Sequence, residues 1–209
     1  MQVQTKPVTT TPEEYLALEE VAEEKNEYLD GEIITMTGAS SNHNRIVVEF
    51  LISLGAALRG TNYEVFAGDL RVWIPEYNAY TYPDVMVVEG ELIYHKNRKD
   101  TITNPSIICE VLSRSTANRD RTEKFKIYRS IPELKEYILI DQYKFLVEHY
   151  VKQESSKWLI NYYESEDAKL SLETVDFEIT LKDIYARVNF DNSETEPEVS
   201  PQEEIEGQV

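Results

Sequence analysis

The stretches TYPDVMVVEG (Thr81 to Gly90) and SIICEVLSRS (Ser106 to Ser115) read as short apolar strands, and each carries one carboxylate in its middle, Asp84 in the first and Glu110 in the second. Side chains alternate faces along a strand. Asp84 therefore shares a face with Met86 and Val88, and Glu110 shares one with Ile108 and Leu112. An ionised carboxylate in such surroundings is costly unless it takes up a proton, pairs with a cation or binds a metal. Two of them on neighbouring strands would also repel each other. A divalent cation between them resolves both problems, and an oxygen donor set of this kind suits Mg²⁺ or Mn²⁺ better than zinc. The plainer alternative has one acid at a strand end facing water and the other paired with an arginine.

A basic segment follows. Arg114 to Arg129 holds six basic residues and two acids. The run ANRDRTEKFKIYRSIPELKEY predicts a helix, with Asp120 and Glu123 as a capping signature and Phe125 and Tyr128 as its apolar stripe. Lys124 flanks that stripe, within reach of the sheet edge where Glu110 ends, although a solvated helix face is the plainer reading of any single lysine. Other chemistries lack their residues. The sequence has neither a Gly-rich phosphate loop nor a G-x-S-x-G turn, and His43, His95 and His149 are not spaced as metal ligands. His43 stands just before a predicted helix, where it would cap the helix or border a site. Cys109, between Ile108 and Glu110, reads as a small buried hydrophobe.

The elements around these residues follow from local pattern. Thr11, Pro12 and Glu14 form a helix start with a capping box. Asp30-Gly31 in EYLDGEIITM is a hairpin turn. HNRIVVEFLISLGAALRG has apolar residues at helical spacing and ends at Gly60. YEVFAGDLRVWIP reads as a strand or hairpin, and EYILID as an apolar strand. FLVEHYV and KWLINYY read as an antiparallel pair, and LKDIYA as a closing helix. The order is that of a layered α/β domain with a mixed sheet.

Size and charge bound the rest. The chain has 209 residues, 41% of them hydrophobic, including 14 tyrosines. That suits one folded domain over residues 11–190, with a loose N-terminus (1–10) and an acidic tail (191–209) too polar to bury itself. Neither an apolar signal core nor a run of about 18 apolar residues is present. One cysteine permits no intrachain disulfide, so a soluble cytoplasmic protein without membrane attachment is the simplest account. The net charge of −18 is peripheral: the tail carries −7, residues 1–32 another −7, and the remaining 158 residues −4. A chain this acidic is a poor default partner for nucleic acid, unless its acidic ends turn away or the tail lies over the basic helix as a mimic of DNA.

Together, EYLDGEI, YPDVMVV, ICEVLSRST and DRTEKFKIYRSIPELKEYILID resemble the Uma-two family of bacterial endonucleases, in the PD-(D/E)XK nuclease superfamily. The resemblance runs from about Thr11 to Arg187. It implies a restriction-endonuclease-like core, with a mixed central sheet flanked by helices, an N-terminal helix and hairpin, and a C-terminal antiparallel hairpin. It implies Pro83-Asp84 as the PD pair and Glu110 as the second acid. The lysine expected two residues later is Leu112; Lys124 on the following helix stands in for it, with Lys126 the alternative. The resemblance adds Glu27 as a further metal contact and Asp69 as a supporting acid, while the basic residues Arg114, Arg119 and Arg121 would contact flanking phosphates. The activity implied is Mg²⁺- or Mn²⁺-dependent hydrolysis of DNA. Dimerisation would place two sites across a duplex. The displaced lysine keeps a second reading open, a catalytically inactive binding or scaffold module on the same fold.

Overall fold

A computed structural model of the chain describes residues 9–36, 38–154 and 157–192. Most of the expected acidic tail and of the loose N-terminus therefore lies outside the described residues. In chain order the elements are α1 (Pro12–Glu19), β1 (Asn26–Leu29), β2 (Glu32–Thr35), α2 (Ser41–Ala57), β3 (Tyr63–Ala67), β4 (Arg71–Ile74), β5 (Ala79–Thr81), β6 (Val85–Glu89), β7 (Thr101–Ile102) and β8 (Pro105–Leu112). Then Ala117–Arg119, Asp120–Lys124 and Phe125–Tyr128 run on as one helix, α3, whose middle segment is a π-turn. There follow β9 (Glu136–Asp141), β10 (Val147–Lys152), β11 (Trp158–Tyr163), β12 (Lys169–Ser171), β13 (Glu178–Thr180) and α4 (Leu181–Ile184).

The main sheet has six strands in the order β11-β10-β9-β8-β6-β3 and is antiparallel except for the β8–β9 pair. A smaller sheet has the order β2-β1-β5-β4-β7, with β4 and β7 parallel. One face of the main sheet presents Val85, Val87, Ile107, Cys109, Ile138 and Ile140 to α2 and α4. The other presents Met86, Val88, Ile108, Leu112, Tyr137 and Leu139 to α3 and to Val72, Ile74 and Ala79 of the small sheet. The fold is thus layered α/β: helices, sheet, then α3 beside a second sheet.

Local signals set several elements. Thr11 caps α1, accepting from the Glu14 amide, while the Glu14 carboxylate accepts from the Thr11 amide. α2 buries Ile46, Phe50 and Leu54 at four-residue spacing. The β1–β2 hairpin turns through Asp30 (φ 45°) and Gly31 (φ 104°). The β10–β11 pair also forms as the alternation predicts.

Three local expectations change. YEVFAGDLRVWIP is not a hairpin, because β3 edges the main sheet while β4 lies in the small one. Asp84 is not in mid-strand but immediately precedes β6. Asp120 does not cap its helix, which starts a turn earlier at Ala117.

Gly31 gives a direct test. A Cβ there would stand 2.8 Å from the Thr9 Cβ, on a backbone with positive φ. Gly31→Ala is expected to cost roughly 1–3 kcal/mol in urea unfolding; an unchanged midpoint would show that the hairpin tip carries no such constraint.

Candidate active site

The small sheet hands the chain to the main sheet beside the two acids. β5 ends at Thr81, and only Tyr82, Pro83 and Asp84 separate it from β6. Val85 pairs with Cys109 in the β6–β8 register, so Asp84 stands opposite Glu110 on the same sheet face. Asp84 Oδ2 accepts the Val111 amide at 2.7 Å, and Oδ1 lies 3.1 Å from His43 Nε2. His43 reaches it from the first turn of α2, where its own amide donates to the capping Ser40 hydroxyl.

Glu110 is buried, and its Oε1 accepts two hydrogen bonds, from Lys124 Nζ at 3.0 Å and Tyr128 Oη at 2.8 Å. Lys124 is buried as well. Its ammonium lies 3.0 Å from Glu27 Oε1, 3.0 Å from Glu110 Oε1 and 3.6 Å from Asp120 Oδ1. Glu27, only 2% exposed, arrives from β1 of the small sheet; its Oε2 accepts from Arg119 Nη1 at 2.6 Å. Acids from β1, from β8 and from α3 itself therefore converge on one ammonium. The spacing of Asp120 and Lys124 is i to i+4, so both face inward from the same side of α3.

The protonation energetics follow from this crowding. Burial pushes the Glu110 carboxyl up to about 8; Lys124 opposes the rise, while Asp84, Asp120 and Glu27 add to it. Burial also raises Asp120, again against Lys124. For Lys124, burial favours loss of the proton, but Glu110 and Glu27 outweigh it and hold the ammonium well above its usual range. Glu27 stays below its usual value despite burial, because Lys124 and Arg119 flank it.

Four carboxylates, Glu27, Asp84, Glu110 and Asp120, line a cleft of about 290 Å³ together with His43, Arg119, Lys124, Ser113, Ser115 and Thr116. Against them stand two permanent cations, Lys124 and Arg119. Asp120 Oδ1 is buried without a hydrogen-bond partner, the lysine at 3.6 Å being beyond that range. An oxygen-rich cleft with more carboxyl groups than cations and an unsatisfied carboxyl oxygen fits a hard divalent cation. Among the described residues no three of His, Cys, Asp and Glu are grouped as a complete metal site. Asp84 and Glu110 could hold a cation only with water or substrate oxygens completing its shell, the usual situation for Mg²⁺. A larger groove, about 740 Å³, opens beside the β1–β2 turn but contains none of the four buried or half-buried acids.

Comparisons with known proteins bear on the family and the fold. Residues 12–182 match the model of the Uma2 family, described as "Putative restriction endonuclease". The chain belongs to the Uma2 family. Two uncharacterised proteins of Synechocystis sp. are similar to it. One, sll1609, is 46% identical over 160 residues, covering 77% of this chain and 90% of that protein. The other, slr1290, is 36% identical over 182 residues, covering 86% and 93%. Among solved structures, a "putative nuclease belonging to DUF820" from Anabaena variabilis superposes with a TM-score of 0.71 at 20% identity, covering 85% of this chain and 98% of that one; it supports the fold.

Of the site residues expected from sequence, Glu27, His43, Asp84, Glu110, Arg119 and Lys124 meet at the cleft. Lys126 does not; its ammonium sits 5.4 Å from the Tyr77 ring centroid and lines the other groove. Asp69 is exposed and pairs with Lys25 in the turn after β3, away from the cleft. Arg119 is turned inward to Glu27, and Arg121 pairs with the buried Glu148 at 2.7 Å. The Arg114 guanidinium lies 5.2 Å from the Tyr143 ring centroid. Sequence reasoning missed Asp120 as a site acid and Tyr128 as a donor to Glu110. It also missed Gln142, which is buried and donates to the Leu112 carbonyl at 3.0 Å while binding Ser40. The Asp120–Lys124 spacing was the one available signal.

Removing the ammonium leaves Glu27 and Glu110 buried without their shared partner. Lys124→Met is expected to destabilise the fold by about 3–5 kcal/mol in urea unfolding at neutral pH. Adding Glu27→Gln, which removes the acid held ionised beside Lys124, should recover part of that loss. A Lys124→Met protein as stable as wild type would show that the cluster is not coupled to folding.

Proposed function

We propose that this chain is a metal-dependent endonuclease that hydrolyses phosphodiester bonds in DNA. The observation that carries the reading is the convergence of Asp84, Glu110 and the buried Lys124 on one cleft with more carboxylates than cations. Perturbed carboxylates gathered in a cleft mark functional sites more often than structural ones.

In this reading Asp84 and Glu110 would hold Mg²⁺ or Mn²⁺, which supplies Lewis-acid polarisation of the phosphate and a more acidic water. The chain's own groups do the rest. Lys124 offers a fixed positive charge, held by Glu110 and Glu27, for the attacking water and the charge that develops on phosphoryl oxygens. His43 fixes the rotamer of Asp84 from α2, and the Val111 amide fixes its other oxygen. Lys124 and Arg119 keep Glu27 ionised and occupy its two oxygens, so that in this reading Glu27 serves as their counter-ion rather than as a metal contact. The hydroxyls of Ser113, Ser115 and Thr116 border the same cleft and would face a bound phosphate backbone.

The test is cleavage of supercoiled plasmid and of single-stranded DNA in Mg²⁺ and in Mn²⁺. Wild type should cut only with metal, and Asp84→Asn should lose at least about 100-fold. Cleavage that persists in EDTA, or that survives Asp84→Asn, would remove the reading. DNA binding without metal uptake would instead support a non-catalytic module.

The raised Glu110 pKa adds a sign. Its carboxyl holds a proton up to about pH 8, and a metal must displace that proton. Mg²⁺ affinity should therefore rise as pH increases from about 6 to about 8 and level off above. Calorimetry in two buffers of different ionisation enthalpy should detect proton release that Glu110→Gln abolishes.

A further inference from the structure

β11 is the last strand of the main sheet, and among the described residues no strand pairs with its outer edge. Natural edge strands are normally blunted by charge, proline or a bulge. β11 has none of these. Its sequence, Trp158-Leu159-Ile160-Asn161-Tyr162-Tyr163, is uncharged, and it pairs with β10 in unbroken register over all six residues. Leu159, Ile160 and Tyr162 are 48%, 40% and 60% exposed. The opposite edge of the sheet, β3, carries an exposed Glu64.

The backbone pattern fixes which groups are free. The Gln153 amide donates to the Lys157 carbonyl at 2.7 Å, in the same register. Antiparallel hydrogen bonding alternates along a strand, so Lys157, Leu159, Asn161 and Tyr163 direct their amides and carbonyls to β10. Those of Trp158, Ile160 and Tyr162 point outward.

We propose that two copies of this chain join β11 to β11, antiparallel, about a two-fold axis at Ile160. The outward set is its own complement. Ile160 meets Ile160, and Trp158 meets Tyr162 on either side, so that three residue pairs exchange about six backbone hydrogen bonds. Aromatic cross-strand pairs of this kind add stability. Trp158 already packs edge-on to Phe125 at 5.4 Å, so the partner's Tyr162 extends an existing aromatic cluster. Charge favours the same arrangement. A chain of net charge −18 repels its copy over most approaches, but this strand sets no acid against an acid. Lys157 of one copy comes to the end of the pair where the other copy has Glu164. The axis reverses strand direction, so the two clefts open at opposite ends of the joined sheet.

Sedimentation velocity of the full chain at about 1–100 μM should show a species of twice 24.3 kDa. Ile160→Lys, which places two ammonium groups at the axis, should return the monomer. Hydrogen exchange of wild type provides an independent reading. At high concentration the amides of Trp158, Ile160 and Tyr162 should gain protection that they lose on dilution, while those of Leu159, Asn161 and Tyr163 stay protected throughout. A wild type that remains monomeric, an Ile160→Lys protein that remains dimeric, or exchange lacking this concentration-dependent alternation would each overturn the proposal.

Discussion

One buried ammonium organises the centre of this molecule. Lys124 lies between Glu27 from the small sheet and Glu110 from the main sheet, on a helix that packs against the main sheet. Taking such a charge out of water costs several kcal/mol, as does burying each acid. The three are tolerable only together, with Arg119 on the far oxygen of Glu27 and Tyr128 on Glu110. The relative placement of the two sheets thus depends on electrostatics as well as on the apolar contacts of Val72, Ile74 and Ala79. Removing either carboxylate changes the protonation of the other groups and the fit between the layers.

The backbone around the cluster is correspondingly constrained. The π-turn at Asp120–Lys124 lies in the middle of α3, and such insertions recur where a helix must present side chains to a site. Tyr137 reaches from β9 to donate to the Asp120 carbonyl at 3.0 Å, meeting part of the hydrogen bonding that the local geometry leaves open. On the other side of the cleft, Gln142 ties the end of β8 to the loop that begins α2. His43 and Asp84 are thereby held by the same framework that positions Glu110.

What the sequence made legible was local. The capping box at Thr11, the turn at Asp30-Gly31, the stripe of α2 and the β10–β11 alternation all depend on neighbours within a few residues, and all form as read. That Asp84 falls in step with Met86, and Glu110 with Ile108, was equally readable from period-two alternation; that the two pairs share one sheet face was not, because it needs the strand order. The division of β3 and β4 between two sheets was not, since nothing local distinguishes a hairpin from a crossover. Glu27 and Arg119 are 92 residues apart, and no periodicity brings them together. Asp120 was read as a cap because Asp followed three residues later by Glu satisfies a local template; burial and the lysine one turn on give it a different role. Lys126 had the right chemistry on the wrong side of the helix, a 200° rotation from Lys124 at about 100° per residue.

The cleft's charge also orders events in the proposed reaction. Four carboxylates against Lys124 and Arg119 leave an excess of about two negative charges when all are ionised, counting pairs close enough to escape screening at a Debye length of about 8 Å. A phosphate entering that field is repelled. The two cations cannot receive it freely, because each is already bonded to carboxylates. Protonation of Glu110 reduces the excess but removes the donor that a cation needs. On the proposed reading, a divalent cation held by Asp84 and Glu110 would supply the positive charge that an anionic substrate needs there, with Glu110 in its ionised form. The same acids would then tie any affinity for a phosphate backbone to a bound divalent cation, which is a property of the whole cluster and not of any one ligand.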